Sequence, residues 1–350
     1  MALFDQLADL PIEVESYELE GLERDVSSDF TRLTTVIHLH GGGEEGVGED
    51  VVYDALDHIA LQESGPVHDL TGPATLGEFC ALSHELDLFP APPVREVSPL
   101  YRRWAFESAA LDLALRQANT SLHEHLGIAP KPVTFVVSLR LGDPPSIEPV
   151  KRRLESYPTL RFKLDPVSAW TPELIDELVA TGAVDSVDLK GLYKGSVVDQ
   201  GADPVLYERV ATAFPEAWIE DPALTPETEA VLADAHDRIT WDAIIHGVAD
   251  IEALPFPPRM VNVKPSRVGG LRELCETYDY CNERGIGMYG GGQFELGPGR
   301  GHIQYLASLF HPHTPNDVAP AGYNDPEPAA GLPVSPLPPT PSAVGFRWGA

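Results

Sequence analysis

Basic residues are scarce in this chain of 350 residues. It contains 24 lysines and arginines against 54 acidic residues, which gives a formal net charge of −30. A surface this negative repels phosphate backbones, so nucleic acid and anionic membranes are excluded as partners. Small anionic substrates stay open, because a bound cation reverses the sign of the local potential. Lysine is the scarcest charged residue, with only six positions: Lys131, Lys151, Lys163, Lys190, Lys194 and Lys264.

Cysteine and long apolar runs are also rare. Three cysteines without a C-x-x-C spacing exclude a disulfide framework and a zinc site, and we expect them to be packing residues. No apolar run reaches the ~18 residues that a membrane-spanning helix needs. The first 16 residues carry acids where a secretory signal has basic residues, so the sequence predicts a cytoplasmic protein.

The first part of the chain has the pattern of an α+β unit. Residues 30–39 are rich in β-branched side chains and predict a strand, and the glycines at 41–43 predict a turn. Residues 46–53 then form the returning strand of a hairpin. Apolar positions at helical spacing follow over residues 104–115. We therefore predict an α+β domain over residues 1–130.

From residue 132 onward, apolar runs alternate with helical patterns. Thr171 and Thr225, each followed by proline, are predicted N-caps of two of these helices. Strands that are apolar on both faces favour a parallel sheet, and its closure into a βα barrel over residues 131–322. An open doubly wound sheet is the alternative, but no G-x-G-x-x-G follows an early strand. The proline-rich segment 323–350 is predicted to pack back on the first domain. The seven runs span residues 134–139, 160–164, 184–189, 217–219, 238–241, 260–263 and 286–289.

Charged residues stand where these runs end. Five consecutive runs end in this way, at Lys163 with Asp165, Asp188 with Lys190, Glu220, Asp242 and Lys264. The strand ends of a barrel meet at one mouth, where Asp188, Glu220 and Asp242 would repel one another without a cation. Ligation by oxygen alone favours Mg²⁺, with Mn²⁺ as an alternative, over Zn²⁺. A lysine beside such a cation becomes a usable base, so the set predicts removal of a proton next to a carboxylate, with an enediolate held at the metal.

Motifs in both parts of the chain share an order and spacing with one known group of enzymes. The chain resembles the enolase superfamily, in its mandelate racemase and muconate lactonizing branch, over about residues 30–320. The motifs that carry the resemblance are Gly46-Val47-Gly48-Glu49, residues 104–112, Phe162-Lys163-Leu164-Asp165, the acids Asp188, Glu220 and Asp242, residues 263–270, and Gly291-Gly292-Gln293-Phe294-Glu295.

The resemblance implies a TIM-type (β/α)7β barrel behind an α+β capping domain. It implies a magnesium-dependent lyase or racemase/epimerase, with Lys163 and Lys264 as bases on opposite faces of a small carboxylate substrate. Asp165 and Glu295 would contact that substrate. From the residues themselves, Arg300 in a glycine-rich segment is a further candidate for holding a substrate carboxylate. By position, loops near residues 21–28 and 43–50 would select the substrate.

Three departures from the branch's motifs leave alternatives open. The usual Lys-x-Lys of strand two is here Arg161-x-Lys163 or Lys163-x-Asp165. Lys190 stands where asparagine is common, so it is a rival to Lys163 as the base on that side. Ala243 follows Asp242, where glutamate is common. The sequence does not choose between elimination and racemisation. Two alternative functions are a non-catalytic ligand-binding barrel and an aldolase-like magnesium barrel. A homo-oligomer is also compatible with the sequence.

Overall fold

The computed structural model describes residues 1–26, 30–194 and 198–349. Its N-terminal part combines helices with two antiparallel sheets. The strands are β1 (Pro11–Val14), β2 (Ser16–Val26), β3 (Phe30–Gly41), β4 (Glu44–Asp50) and β5 (Gly72–Thr75). The helices are α1 (Leu3–Leu7), α2 (Ala55–Ser64), α3 (Leu76–Glu85), α4 (Ser98–Gln117) and α5 (Leu122–Leu126). One sheet has the order β2-β3-β4, and β1 pairs with β5 in the other.

Helix α4 packs directly on β4 because two residues of that strand have no side chain. A β-carbon on Gly46 would lie 2.2 Å from the carbonyl oxygen of Ala109, and one on Gly48 would lie 1.9 Å from that of Ala105. The glycines of the Gly46-Val47-Gly48-Glu49 motif therefore allow the close approach of strand and helix. The predicted hairpin is confirmed, although its return strand begins at Glu44 and ends at Asp50.

The predicted substrate-selecting loops are wrong as loops. Residues 21–26 belong to β2 and residues 44–50 belong to β4, while residues 27 and 28 lie outside the described part of the chain. The hairpin pattern extends further than expected because all eleven residues of β2 pair with β3, from Ser16 with His40 to Val26 with Phe30.

The C-terminal part contains the seven predicted barrel strands. They are β6 (Val137–Leu139), β7 (Phe162–Leu164), β8 (Val184–Asp188), β9 (Trp218–Glu220), β10 (Ile239–Thr240), β11 (Met260–Asn262) and β12 (Gly287–Tyr289). The helices between and after them are α6 (Glu148–Ser156), α7 (Pro172–Thr181), α8 (Pro204–Ala213), α9 (Pro226–Leu232), α10 (Val248–Glu252), α11 (Pro265–Val268), α12 (Leu271–Arg284) and α13 (Gly299–Phe310). The predicted N-caps are confirmed, since Thr171 and Thr225 each accept a hydrogen bond from the backbone of their helix.

The seven strands close into a ring through an eighth extended segment. Strands β6 to β10 pair in parallel in chain order, and β11 pairs with β12. The backbone N–H of Asn262 donates to Trp241 at 2.9 Å, which joins the two groups. On the other side, Asn316 accepts from the N–H of Val136 at 2.9 Å, and the N–H of Asp317 donates to Gly290 at 2.8 Å. The result is a (β/α)7β barrel whose strand ends face one mouth.

The C-terminal segment lies across both parts of the chain. Phe346 is fully buried, with its ring near those of Trp104 of α4 and His302 of α13. Arg347 forms an ion pair with Asp112 of α4 at 2.8 Å.

The structure also bears on the predicted role of the cysteines and on the predicted absence of a membrane-spanning helix. All three cysteines are buried and free, and burial raises the pKa of each thiol, which fits their predicted packing role. Within the residues described, no helix combines the length and the apolar character needed to span a membrane.

Candidate active site

Lys163 points from the second barrel strand into a group of carboxylates. Its side chain is only 2% exposed, and its ammonium pairs with Glu220 of β9. The same nitrogen lies 3.1 Å from a carboxylate oxygen of Asp188 and 3.8 Å from one of Asp317. Lys163 of β7 therefore contacts residues of β8, β9 and the closing segment at the barrel mouth.

Lys190 lies beside Lys163 but follows the third strand rather than ending it. Its backbone is in the left-handed region, with φ of 52°, and this conformation turns the side chain back to pair with Asp188. Its ammonium also lies 3.9 Å from Oδ1 of Asp165. The predicted pair of candidate bases on this side thus shares Asp188 as a common partner.

Lys264 approaches from the opposite side of the ring. It caps α11 immediately after β11, and its ammonium lies 2.7 Å from Oδ2 of Asp242. Arg267 of α11 pairs with the other oxygen of Asp242. The phenol of Tyr193 donates to Asp242 at 2.7 Å. Three donors therefore hold the Asp242 carboxylate.

The closest group of acids differs from the predicted set by one residue. Asp188, Glu220 and Asp221 each offer an oxygen, and these oxygens all lie within 4.8 Å of one another. Asp221, rather than Asp242, completes this group. Its carboxylate accepts the backbone N–H groups of Asp242 and Ala243 at 2.8 and 2.9 Å, so it also fixes the position of Asp242. All four acids are buried.

Burial and neighbouring charge shift the pKa values of Lys163 and Lys264 in opposite directions. Burial lowers the pKa of Lys264, and the attraction of Asp242 offsets this only in part. Burial also disfavours the charged form of Lys163, but the carboxylates of Glu220 and Asp188 outweigh it and hold its pKa well above the usual value. Among the acids, burial and the negative charge of Asp242 raise the pKa of Asp221 to about 7. The pocket therefore has an excess of buried negative charge close to Lys163.

The donor set fits a hard divalent cation. The closest acids offer only carboxylate oxygens, with no histidine or cysteine among them. Oxygen ligands of this kind suit Mg²⁺ or Mn²⁺, and a cation would relieve the repulsion that raises the pKa of Asp221.

Glu295 and Arg300, the remaining predicted substrate contacts, lie beyond strand seven and pair with each other. Nη2 of Arg300 lies 2.9 Å from Oε2 of Glu295, and the other carboxylate oxygen, Oε1, accepts the N–H of Gln293. Two residues of the N-terminal domain hold this segment. The carboxylate of Glu49 accepts the backbone N–H groups of residues 296, 297 and 299, and Arg32 donates to the carbonyls of residues 293 and 294. Buried polar contacts from β3 and β4 therefore hold the N-terminal domain against the segment that follows β12.

Sequence reasoning missed three members of the site. The phenol of Tyr289 donates to Glu220, Tyr193 reaches Asp242, and Asp317 approaches Lys163. Tyr289 ends β12, the seventh barrel strand, so its place at a strand end is a signal that could have identified it. Tyr193 lies in a loop and Asp317 in a two-residue closing segment, and neither has a periodic pattern that predicts its place.

Comparison with known proteins gives the same architecture. A dipeptide epimerase from Enterococcus faecalis superposes with a TM-score of 0.68 at 16% identity, over 96% of this chain and 99% of that one. A muconate cycloisomerase from Pseudomonas fluorescens superposes with a TM-score of 0.65 at 17% identity, over 97% and 95% of the two chains. The predicted barrel with its α+β capping domain is confirmed.

Two sequence relatives have related chemistry in their names. An o-succinylbenzoate synthase from Geobacillus stearothermophilus is 27% identical over 338 residues, which cover 89% of this chain and 85% of that protein. An N-succinylamino acid racemase from an Amycolatopsis species is 30% identical over 231 residues, which cover 61% of this chain and 59% of that protein.

The two halves of the chain also match a described protein family. Residues 5–125 match the N-terminal domain, and residues 129–325 the C-terminal domain, of the family described as domain of unknown function DUF8230. The chain therefore belongs to the DUF8230 family and, with the relatives above, to the mandelate racemase and muconate lactonizing branch of the enolase superfamily, as a metal-dependent lyase or racemase/epimerase.

Proposed function

We propose that this protein is a cytoplasmic, Mg²⁺-dependent enzyme in which Lys163 and Lys264 are the bases that exchange the α-proton of a small carboxylate. One observation carries the assignment of these residues. Two buried lysines, 2% and 6% exposed, approach one group of carboxylates from strands two and six of the same barrel. A substrate between them would present one face to each ammonium.

The cation would be held by Asp188 and Glu220, with Asp242 as the third ligand. Asp242 holds the strand-five position that the resemblance implies for a ligand and borders Lys264, whereas Asp221 directly follows Glu220 and accepts two backbone N–H groups. A bound divalent cation supplies the positive charge that stabilises an enediolate. Asp221 then has a positioning role, since it fixes the backbone of Asp242.

The lysines handle the proton. Burial already lowers the pKa of Lys264, so this residue has a neutral amine available at a smaller cost than an exposed lysine. Lys163 is held in the charged form by Glu220 and Asp188, and it becomes available as a base when those carboxylates are neutralised. In the charged form, Lys163 donates a proton or stabilises negative charge on the substrate.

The relatives narrow the substrate class. Both the o-succinylbenzoate synthase and the N-succinylamino acid racemase are named for compounds that carry a succinyl group. We propose a substrate of this kind, an α-substituted carboxylate with a succinyl chain. Removal of the α-proton is the first step of both dehydration and racemisation; a β-hydroxyl group then leaves as water in dehydration, and a proton returns on the opposite face in racemisation.

Deuterium exchange tests the proposal directly. Incubation with Mg²⁺ and N-succinyl-L-alanine in deuterium oxide should give exchange at the α-carbon that disappears with EDTA. Lys264→Gln and Lys163→Gln should each reduce exchange of one enantiomer by at least ~1000-fold, because a general base is removed. Lys151→Gln is the matched control, since Lys151 is exposed and pairs with Glu177 on the barrel surface.

Two results would contradict the proposal in different ways. Undiminished exchange of both the L and the D enantiomer of N-succinylalanine in each lysine variant would show that other residues are the bases. Tight binding of Mg²⁺ and of the carboxylate by calorimetry, without exchange in the wild-type protein, would favour the non-catalytic barrel instead.

A further inference from the structure

A cavity of about 230 Å³ opens beside the carboxylate group, on the side of strands one and two. It lies at the C-terminal ends of β6 and β7, next to the loop that follows β8. Its volume exceeds that of several water molecules, so it has room for a substituent of a substrate. The residues that line it are Arg140, Leu141, Gly142, Asp165, Val167, Trp170, Val198, Asp199 and Gln200.

Each of the two acids that line this cavity is paired with a basic residue. Nε of Arg140 lies 3.3 Å from Oδ2 of Asp165, and Nζ of Lys190 lies 3.9 Å from Oδ1 of the same residue. Asp199, the second acid in the lining, pairs with Lys194 at 3.5 Å. Basic partners thus compensate the charge of both lining acids, in a chain where acids exceed bases more than twofold.

Arg140 presents the binding group. Its side chain is 56% exposed, and only its Nε is used in the contact with Asp165. The two terminal nitrogens of the guanidinium have no hydrogen-bond partner within the described ranges, so they are available to a ligand. A guanidinium of this kind matches the two oxygens of a carboxylate.

The other walls of the cavity are apolar. Leu141, Val167 and the buried ring of Trp170 form them, which suits the methylene groups of a short chain. Lys190 links the two places, because its ammonium contacts both Asp188 of the carboxylate group and Asp165 of the cavity. A substituent that extends from the reacting centre past Lys190 and Asp165 would therefore reach Arg140.

We propose that this cavity is the subsite for a second, distal carboxylate of the substrate, with Arg140 as its binding residue. This inference rests on the proposed function, since it places the far end of the substrate that reacts between Lys163 and Lys264. Lys190, which the sequence left as a rival base, neutralises Asp165 there and so keeps the subsite selective for an anion.

Binding of three ligands of equal chain length tests the subsite. N-succinyl-L-alanine carries the distal carboxylate, N-butanoyl-L-alanine replaces it with a methyl group, and β-alanyl-L-alanine replaces it with an ammonium. Calorimetry with the Mg²⁺-loaded protein should give the succinyl compound at least ~10-fold tighter binding than the other two, as expected for a charge-assisted pair. Arg140→Gln should abolish this preference. Arg259→Gln is the matched control, because Arg259 precedes strand six at the far end of the barrel and pairs with Asp237.

The outcomes separate the subsite from the proposed function. Equal binding of the succinyl and butanoyl compounds, or an unchanged preference in Arg140→Gln, would overturn the subsite even where EDTA-sensitive exchange persists. Tighter binding of the β-alanyl compound, lost in Asp165→Asn, would assign the cavity to a cation and overturn it as well. An Arg140-dependent preference without any exchange would uphold the subsite while the proposed function fails.

Discussion

Gly291, two residues after the end of β12, lies directly against Lys264, which follows β11. A β-carbon at Gly291 would be 2.5 Å from Cε of Lys264 and 3.1 Å from Nδ2 of Asn262. The first glycine of the Gly-Gly-x-x-Glu segment therefore leaves the room that this lysine occupies. Real β-carbons do not approach so closely, so any side chain at this position displaces the lysine.

Gly291→Ala should impair proton exchange without unfolding the protein. The added methyl group pushes the end of Lys264 away, and a displacement of about 1 Å of a catalytic group costs on the order of 100-fold in rate. Exchange of the enantiomer that uses Lys264 should fall by that factor, while the other enantiomer loses less. Gly201→Ala is the control, because a β-carbon there meets no atom within 4 Å. Equal rates in the two variants would show that Lys264 does not need its observed position.

Glu49→Gln should loosen the contact between the capping domain and the barrel. The Glu49 carboxylate accepts three backbone N–H groups just before and at the start of α13, and both of its oxygens are used. Glutamine keeps one acceptor oxygen but places an NH₂ group against N–H donors, so we expect a loss of about 1–3 kcal/mol in the free energy of unfolding. Urea denaturation measures it, with the exposed Glu208→Gln as the control. A loss no larger than that of the control would mean that this contact contributes little to stability.

His302 should make the protein sensitive to acid. Burial lowers its pKa to about 3, and neither ring nitrogen has a hydrogen-bond partner in the part of the chain that the structure describes. The unfolded chain binds a proton below pH ~6.5, whereas the folded protein does so only near pH 3. The stabilisation from neutral His302 is thus complete above pH 6.5 and decreases as the pH falls, by about 2 kcal/mol at pH 5.

His302→Phe should remove this part of the acid sensitivity. Phenylalanine keeps the stacking against the ring of Phe346, whose centroid lies 4.4 Å from that of His302. We expect stability within about 1 kcal/mol of wild type at pH 8 and a smaller loss between pH 7 and pH 5. Thermal denaturation over that range measures the difference, with the exposed His313→Gln as the control. Parallel curves for wild type and His302→Phe would contradict the expectation.

Added salt should stabilise the folded protein. A formal net charge of −30 makes the folded chain repel itself, and salt screens this repulsion over a Debye length of about 10 Å at 0.1 M. The melting temperature should rise by at least ~5 °C between about 0.05 and 0.5 M KCl, with most of the rise at the low end. A flat profile would show that paired charges already balance the repulsion. Sucrose at equal osmolality separates screening from general exclusion.

The barrel architecture could be predicted from the sequence, and so could the position of the charged residues at the strand ends. The seven apolar runs coincide with the seven barrel strands, because strands buried on both faces need continuous apolar side chains. Lysine is unfavourable in a buried apolar strand, so Lys163 and Lys264 at the ends of such runs predicted a functional site at the mouth of the barrel. Proline after threonine likewise placed the N-caps at Thr171 and Thr225, since capping is a local interaction.

Only the tertiary structure decided which charges meet. Asp221 rather than Asp242 joins Asp188 and Glu220 most closely, and Glu295 pairs with Arg300. The site also contains the phenols of Tyr193 and Tyr289 and the carboxylate of Asp317. These residues lie far from their partners in the sequence, and no sequence pattern predicts which charged groups they contact. Strand periodicity reports which side a residue faces, whereas the distances between side chains depend on how the whole ring closes. Sequence therefore predicts the strands and their ends, and the closed barrel determines the pairs.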